Sequence, residues 1–263
     1  MLAMSLSCWE DAQHIPHNDQ VQLPGRDHEA ADVFRELALC DSFEVLNAYD
    51  SALEHAERAA GRAEDLRDTG SWLRALGRMG SLEHRFGRVD AEEAHYLSGL
   101  EIARSSGDSG TIGHFMNGLA DVHAARGMFG LALEGYSTVL RYAEHQHDTA
   151  WQRLGHSNIG VLYRVIHDHE DALKHFERQY QLDSAVRDTG DMIGVGVDIA
   201  SVLIPLGRLA SAAELLDTAF SWFEPRGDRW RLALILIAKG QLEKAKGMDR
   251  AAHEHWYRAM NMS

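Results

Sequence analysis

One spacing governs this sequence. Dipeptides that begin with Asp, at Asp68, Asp108, Asp148, Asp188 and Asp228, each lie forty residues after the one before. Glycine recurs on the same period at Gly87, Gly127, Gly207 and Gly247, with His167 in the one gap. Five residues beyond these positions stand Ala132, Ala172, Ala212 and Ala252, with Ala52 upstream and Glu92 as the exception. Four further on comes Tyr96, Tyr136, Phe176, Leu216 or Trp256, with Ala56 a weak match. A unit of this length is one supersecondary element, and it buries its apolar face only by stacking on its neighbours.

Each position class has a physical role. Asp before a helix accepts hydrogen bonds from the unpaired N–H groups of the first turn and suits the positive end of the helix dipole. Glycine after a helix adopts the left-handed conformation that stops it and reverses the chain. A small Ala lets two helices approach, and the bulky residue one turn later fills the next gap. Each unit therefore reads as helix A, glycine turn, helix B, Asp-capped turn. The spacing predicts helix A over about 70–86, 110–126, 150–166, 190–204 and 229–246, and helix B over about 49–66, 90–105, 130–146, 170–186, 210–224 and 250–261. Residues 192–198 and 232–238 have strand propensity. They fall in the helix A slot, where a stacked array buries helices on nearly all sides, so helix is expected there too. Pro205 is expected to end its helix early.

These residues resemble the tetratricopeptide repeat. In that family helix A carries a Leu-Gly pair, the turn a Gly, and helix B an Ala and an aromatic. Here Met79-Gly80, Leu119-Ala120, Ile159-Gly160 and Ile199-Ala200 occupy the pair, and Tyr163 and Leu203 fit the next apolar place. Glu83 and His123 depart from it, and so does Lys239-Gly240, which suggests that the fifth helix A is set differently. The segment 158–163 with 171–176 matches best. The forty-residue unit is similar to the lengthened variant of kinesin light chains and of bacterial regulators. The resemblance spans about residues 45–263 and implies an all-α, right-handed α-α superhelix of five to six helix-turn-helix repeats. It says little of function, because such arrays serve many partners.

Charge narrows the classes of partner. With 40 acidic against 26 basic residues the formal net charge is -14, which disfavours nonspecific binding to nucleic acid. Cys8 and Cys40 are too few for a disulfide framework, so a reducing cytoplasm is the expected compartment. No apolar run reaches the roughly 18 residues that a membrane span needs, and the N-terminus lacks the basic region of a secretory signal.

The ends are irregular. Residues 1–27, polar and with Pro16, Pro24 and Gly25, read as a mobile arm before a repeat domain over 28–263. Residues 27–39 read as a first, irregular helix, with a break at Asp41-Ser42. The last helix B bears Trp256, Tyr257 and Met260 with no solvating helix after it, a candidate face for homo-oligomerisation.

In such arrays helix A lines the inner groove. By that geometry the groove positions are Arg74, Arg78, Arg85, His114, Asn117, Asp121, Asn158, Arg164 and Asp198. Asn pairs with a peptide backbone through donor and acceptor, and Arg holds a carboxylate in a fork. Arg74, Arg78 and Arg85 share one side of a helix and suit an acidic segment, though salt bridges to neighbouring acids would explain them equally well. Of the histidine pairs, residues two apart on a helix diverge by about 200 degrees, and only 167–170, at a turn, could converge on a metal; surface histidines explain them better. Gly190, Gly194 and Gly196 lack the strand that a phosphate loop requires, and close helix packing is the simpler account. No catalytic constellation emerges and no cofactor is implied. The expected function is a non-catalytic, cytoplasmic scaffold that binds a protein or peptide in its groove. The alternatives are a signal-peptide-responsive regulator acting through a partner protein, and a self-assembling structural array.

Overall fold

The computed structural model describes residues 25–107, 109–186 and 189–262. Twelve α-helices follow one another: α1 (Gly25–Val45), α2 (Tyr49–Leu66), α3 (Thr69–Arg85), α4 (Val89–Ser106), α5 (Ser109–Ala125), α6 (Phe129–His145), α7 (Thr149–Val165), α8 (His169–Ala185), α9 (Thr189–Leu203), α10 (Leu209–Phe223), α11 (Arg229–Ala245) and α12 (Asp249–Met260). A short 3-10 turn, Glu224–Arg226, follows α10. The described residues contain no strand, and the fold is a tetratricopeptide-type array of six helical hairpins. Every helix from α2 onward starts and stops within one or two residues of the span that the repeat predicts.

The local chemistry that sets these boundaries is visible at the caps. Asp68, Asp148, Asp168 and Asp228 each accept a hydrogen bond from the backbone N–H three residues on. Asp108 and Asp188 lie outside the described residues. Gly87, Gly127, Gly207 and Gly247 are left-handed, and so are His167 (φ 63°) and Asn47 (φ 57°) in the same slot. The turns from helix B back to helix A hold a second left-handed series on the forty-residue period, Arg67, Gly107, His147 and Gly227, with residue 187 outside the described residues. The sequence hides it because Arg and His break the glycine pattern.

The strand-prone segments are helical, in α9 and α11, because propensity yields to tertiary burial. Pro205 follows a 15-residue α9, shorter than the 17 residues of the other predicted A helices. One expectation is corrected. The chain does not break at Asp41-Ser42; α1 runs through it, with Ser42 Oγ donating to the Ala38 carbonyl at 2.8 Å and Val33, Leu37 and Cys40 fully covered. The fifth predicted helix A packs on α12 as the other hairpins do but more sparsely on α10 before it, in line with its departure from the family pair.

Two compact units divide the chain between Gly135 and Tyr136, within α6. In the first, α1 and α2 bury Val33, Leu37, Leu53 and Ala56 with Met79 and Leu82 of α3, while Tyr96, Leu100 and Phe115 gather with Leu73 and Leu76. In the second, Phe176, Ile199, Leu216, Phe223 and Ile235 anchor one continuous core. Cys40 is among the buried residues, and burial pushes its thiol up to about 12, which leaves it an unreactive core residue. Cys8 and most of the expected arm lie outside the described residues, whereas residues 25–27 open α1.

In the second, fourth and sixth hairpins the deciding contact is glycine against a ring. The Tyr96 ring lies on Gly80 and Gly118, Phe176 on Gly160, and Trp256 on Gly240, so close that an added Cβ would overlap the ring. Gly80→Ala should therefore destabilise the chain by about 1–3 kcal/mol, the usual cost of overpacking. Gly61→Ala on α2, where a Cβ meets nothing within 4 Å, should instead stabilise it by about 0.5–1 kcal/mol. Urea unfolding of the two variants checks the opposite signs.

Candidate functional site

Helix A side chains line a cleft in each unit. The first, of about 340 Å³, lies among α1, α3 and α5. Arg74 and Arg78 line it one helical turn apart, and His114 of α5 closes on α3 over Gly77, where a Cβ would meet its Nε2 at 2.8 Å. Arg78 is already engaged by α1, with Asp41 at 2.8 Å and Glu44 at 3.3 Å. Arg74 has no ion pair or hydrogen bond among the described residues, so it is the available cation. Burial, assisted by the Arg78 charge, pushes the His114 pKa down, so the ring adds no charge at neutral pH.

The three-arginine stripe expected from the sequence does not act as a unit. Arg85 leaves the cleft and lies over the Tyr49 ring, 5.0 Å from its centroid. Asn117 Nδ2 donates to Asp121 Oδ2 at 3.3 Å, a pairing within α5 and outside the cleft. Asn158 of α7 is half-buried and lines neither cleft.

The second cleft, of about 460 Å³, is built from α7, α8, α9, α10 and α11. Its polar part brings together Arg164, Gln179 and Asp198. Arg164 Nε and Gln179 Oε1 are buried without a hydrogen-bond partner. No hydrogen bond from the described residues reaches the Asp198 carboxylate either. Burial raises the Asp198 pKa and the Arg164 charge opposes that rise. The opposite wall is apolar and open: Trp230 is 73% exposed, Leu234 42% and Ile237 43%, all on α11. Gly194, with nothing within 4 Å of its missing Cβ, keeps α9 low at the cleft, so close packing is not the reason for this glycine. Asp191 at the rim is held by Arg153 at 2.7 Å and Arg231 at 3.7 Å.

Of the positions expected from the repeat, the structure thus brings together Arg74, Arg78 and His114 in one cleft, and Arg164 with Asp198 in the other. The sequence reading missed Gln179, Trp230, Leu234 and Ile237. A signal existed, since residues 230, 234 and 237 form a helical stripe beside the buried stripe of Leu232, Ile235 and Leu236. Treating α11 as covered on all sides hid it. At the last helix, Tyr257 and Met260 are exposed, but Trp256 turns inward, its Nε1 donating to the Ile237 carbonyl at 3.3 Å. No described helix is long and apolar enough to cross a membrane.

No protein-family model matches the chain, and neither does any curated protein sequence. Solved structures do share its fold. Aspartyl phosphate phosphatase F from Bacillus subtilis aligns over 98% of this chain and 79% of its own at a TM-score of 0.73 and 12% identity. The Rap conjugation gene regulator of the plasmid pLS20, solved in complex with a peptide, aligns over 98% and 82% at 0.69 and 14%. Kinesin light chain-like repeats from Podospora anserina align over 72% and 94% at 0.59 and 14%.

Asp198 lends itself to a stability test. Its raised pKa means that the folded chain keeps a proton the unfolded chain has released, so its contribution to stability falls as pH rises above about 3.8, the ordinary value. Asp198→Asn should raise Tm at pH 7, and the gain should vanish as pH falls below that value. Thermal unfolding between pH 3 and 7 checks this; an Asn variant less stable at neutral pH would show a carboxylate already well paired.

Proposed function

We propose that this chain is a non-catalytic binding module that captures a segment of a partner protein, or a free peptide, in the cleft of the second unit. The observation that carries the reading is the coincidence, in one cleft, of three polar groups without hydrogen bonds and an exposed apolar shelf. Leaving a buried polar group unpaired costs about 1–3 kcal/mol, and an exposed Trp beside Leu and Ile keeps apolar surface in water. A bound segment relieves both. Its apolar side chain lies on Trp230, Leu234 and Ile237; its main-chain N–H meets Gln179 or Asp198; its carbonyl accepts from Arg164. Arg74 in the first unit offers a separate point for an acidic side chain.

The likeness to the plasmid regulator, whose solved structure holds a peptide, supports a peptide as the form of ligand. A regulator that acts through a partner protein is the second reading, and this likeness is what favours it. The reading places the chain in the cytoplasm, binding protein in preference to nucleic acid.

Selection of a random-peptide display library on the full-length chain tests this. The account predicts enriched peptides whose binding weakens at least tenfold in Trp230→Ser and in Asp198→Lys, as befits a hot spot worth about 2 kcal/mol or more. Binding should persist in Tyr257→Ser. No enrichment, or peptides that bind all variants alike, would remove the cleft from the account.

A further inference from the structure

The repeat fixes one contact between the two helices of each hairpin, and the fourth hairpin fills it in a way no other does. Positions forty residues apart give the pairs Leu76 and His95, Met116 and Gly135, Gly196 and Leu215, and Leu236 and His255, each with at least one residue that carries no polar side chain. The first hairpin places Glu36 and His55 there, an acid and a base joined at 2.6 Å. In the fourth the slot holds two bases: His156 of α7 and His175 of α8, their Nδ1 atoms 3.1 Å apart.

His156 is buried and His175 half-buried. Their ring centroids are 5.2 Å apart, and the Tyr163 ring lies 5.7 Å from that of His175. Imidazole binds a metal through an unprotonated ring nitrogen. Two unprotonated Nδ1 atoms cannot face each other at this distance without something between them: a proton on one ring, or an ion shared by both.

We propose that His156 and His175 form a two-histidine site for a divalent transition metal of the zinc class, ligated through the two Nδ1 atoms. Tetrahedral zinc holds its nitrogens at about 2.0–2.1 Å, which sets two such ligands roughly 3.3 Å apart, close to the spacing already present. No third His, Cys, Asp or Glu converges there among the described residues, so the remaining positions go to water or to a donor brought by a bound partner. Charge around the pair is mixed. Asp171 favours a cation at His175, whereas Lys174 and Arg178 oppose one. The site is accordingly weaker than a closed four-ligand centre and open to exchange. It stands independently of the cleft proposed above.

The test is calorimetric titration of the metal-stripped full chain with Zn2+ at pH 7.5. The wild type should show one binding event that His156→Leu and His175→Leu each lose. Both variants place in the slot a residue that other hairpins already use, at Leu76 and Leu215. Titration of wild-type protein carrying 15N-labelled histidine should shift two Nδ1 resonances together, a readout that needs no variant to fold. Identical titrations in all three proteins, or no paired Nδ1 shift, would reduce the contact to an imidazole–imidazole hydrogen bond and overturn the proposal.

Discussion

A ring pressed against a glycine is the contact on which the rest of this structure depends. At Gly80, Gly160 and Gly240 the absence of a side chain lets the aromatic residue of the following helix lie on the backbone itself. Sixteen residues separate the members of each pair, and that interval fixes the register of the hairpin. Once the register is fixed, the Asp caps and left-handed turns fall where they must, and the A helices present their other side to solvent. The array varies the volume on both sides of this contact. Where Ala200 replaces glycine, the partner position holds the smaller Leu216 in place of a ring, whereas Ala120 keeps a ring, Tyr136, at its partner position. Complementary volumes of this kind are what close-packed interiors demand.

That logic explains why so much of the fold was legible in the sequence. Caps and turns are local: Asp148 or Gly127 declares itself through the conformation its own backbone adopts. The left-handed turns at Arg67 and His147 were invisible for the same reason, because nothing in Arg or His announces a positive φ. The site was harder to read, since it depends on which side chains find partners across helices. Arg78 looked available from the repeat, and Asp41 and Glu44 of α1, a helix expected to break there, engage it. Arg164 and Asp198 line the second cleft, but their lack of hydrogen-bond partners is a property of packing. Trp230 was lost because an apolar residue in an apolar helix reads as core.

The two properties divide between the faces of the A helices. The packed face carries mostly glycine, rings and aliphatic residues, with polar exceptions such as Glu36 and His55, and it holds the scaffold in shape. The lining face of the second unit carries buried groups whose hydrogen bonds are unmade and an aromatic left in water. Surface that is costly when empty, borne on helices that are rigid for other reasons, is the arrangement by which a preformed cleft gains affinity without reorganising. Among these polar exceptions the paired histidines of the fourth hairpin fill one slot with two bases, which is why they stand out against the repeat.

A double-mutant cycle at Gly160 and Phe176 tests the governing contact most directly. A Cβ at Gly160 would meet the Phe176 ring at 2.7 Å, so Gly160→Ala overfills the contact and Phe176→Leu underfills it. Together they recreate the Ala and Leu combination that the array uses at positions 200 and 216. Urea unfolding should show each single variant destabilised and the double variant recovering at least about 1 kcal/mol of the summed loss, within the range of coupling between touching residues. Losses that simply add, to within about 0.5 kcal/mol, would contradict a fold whose register rests on this fit.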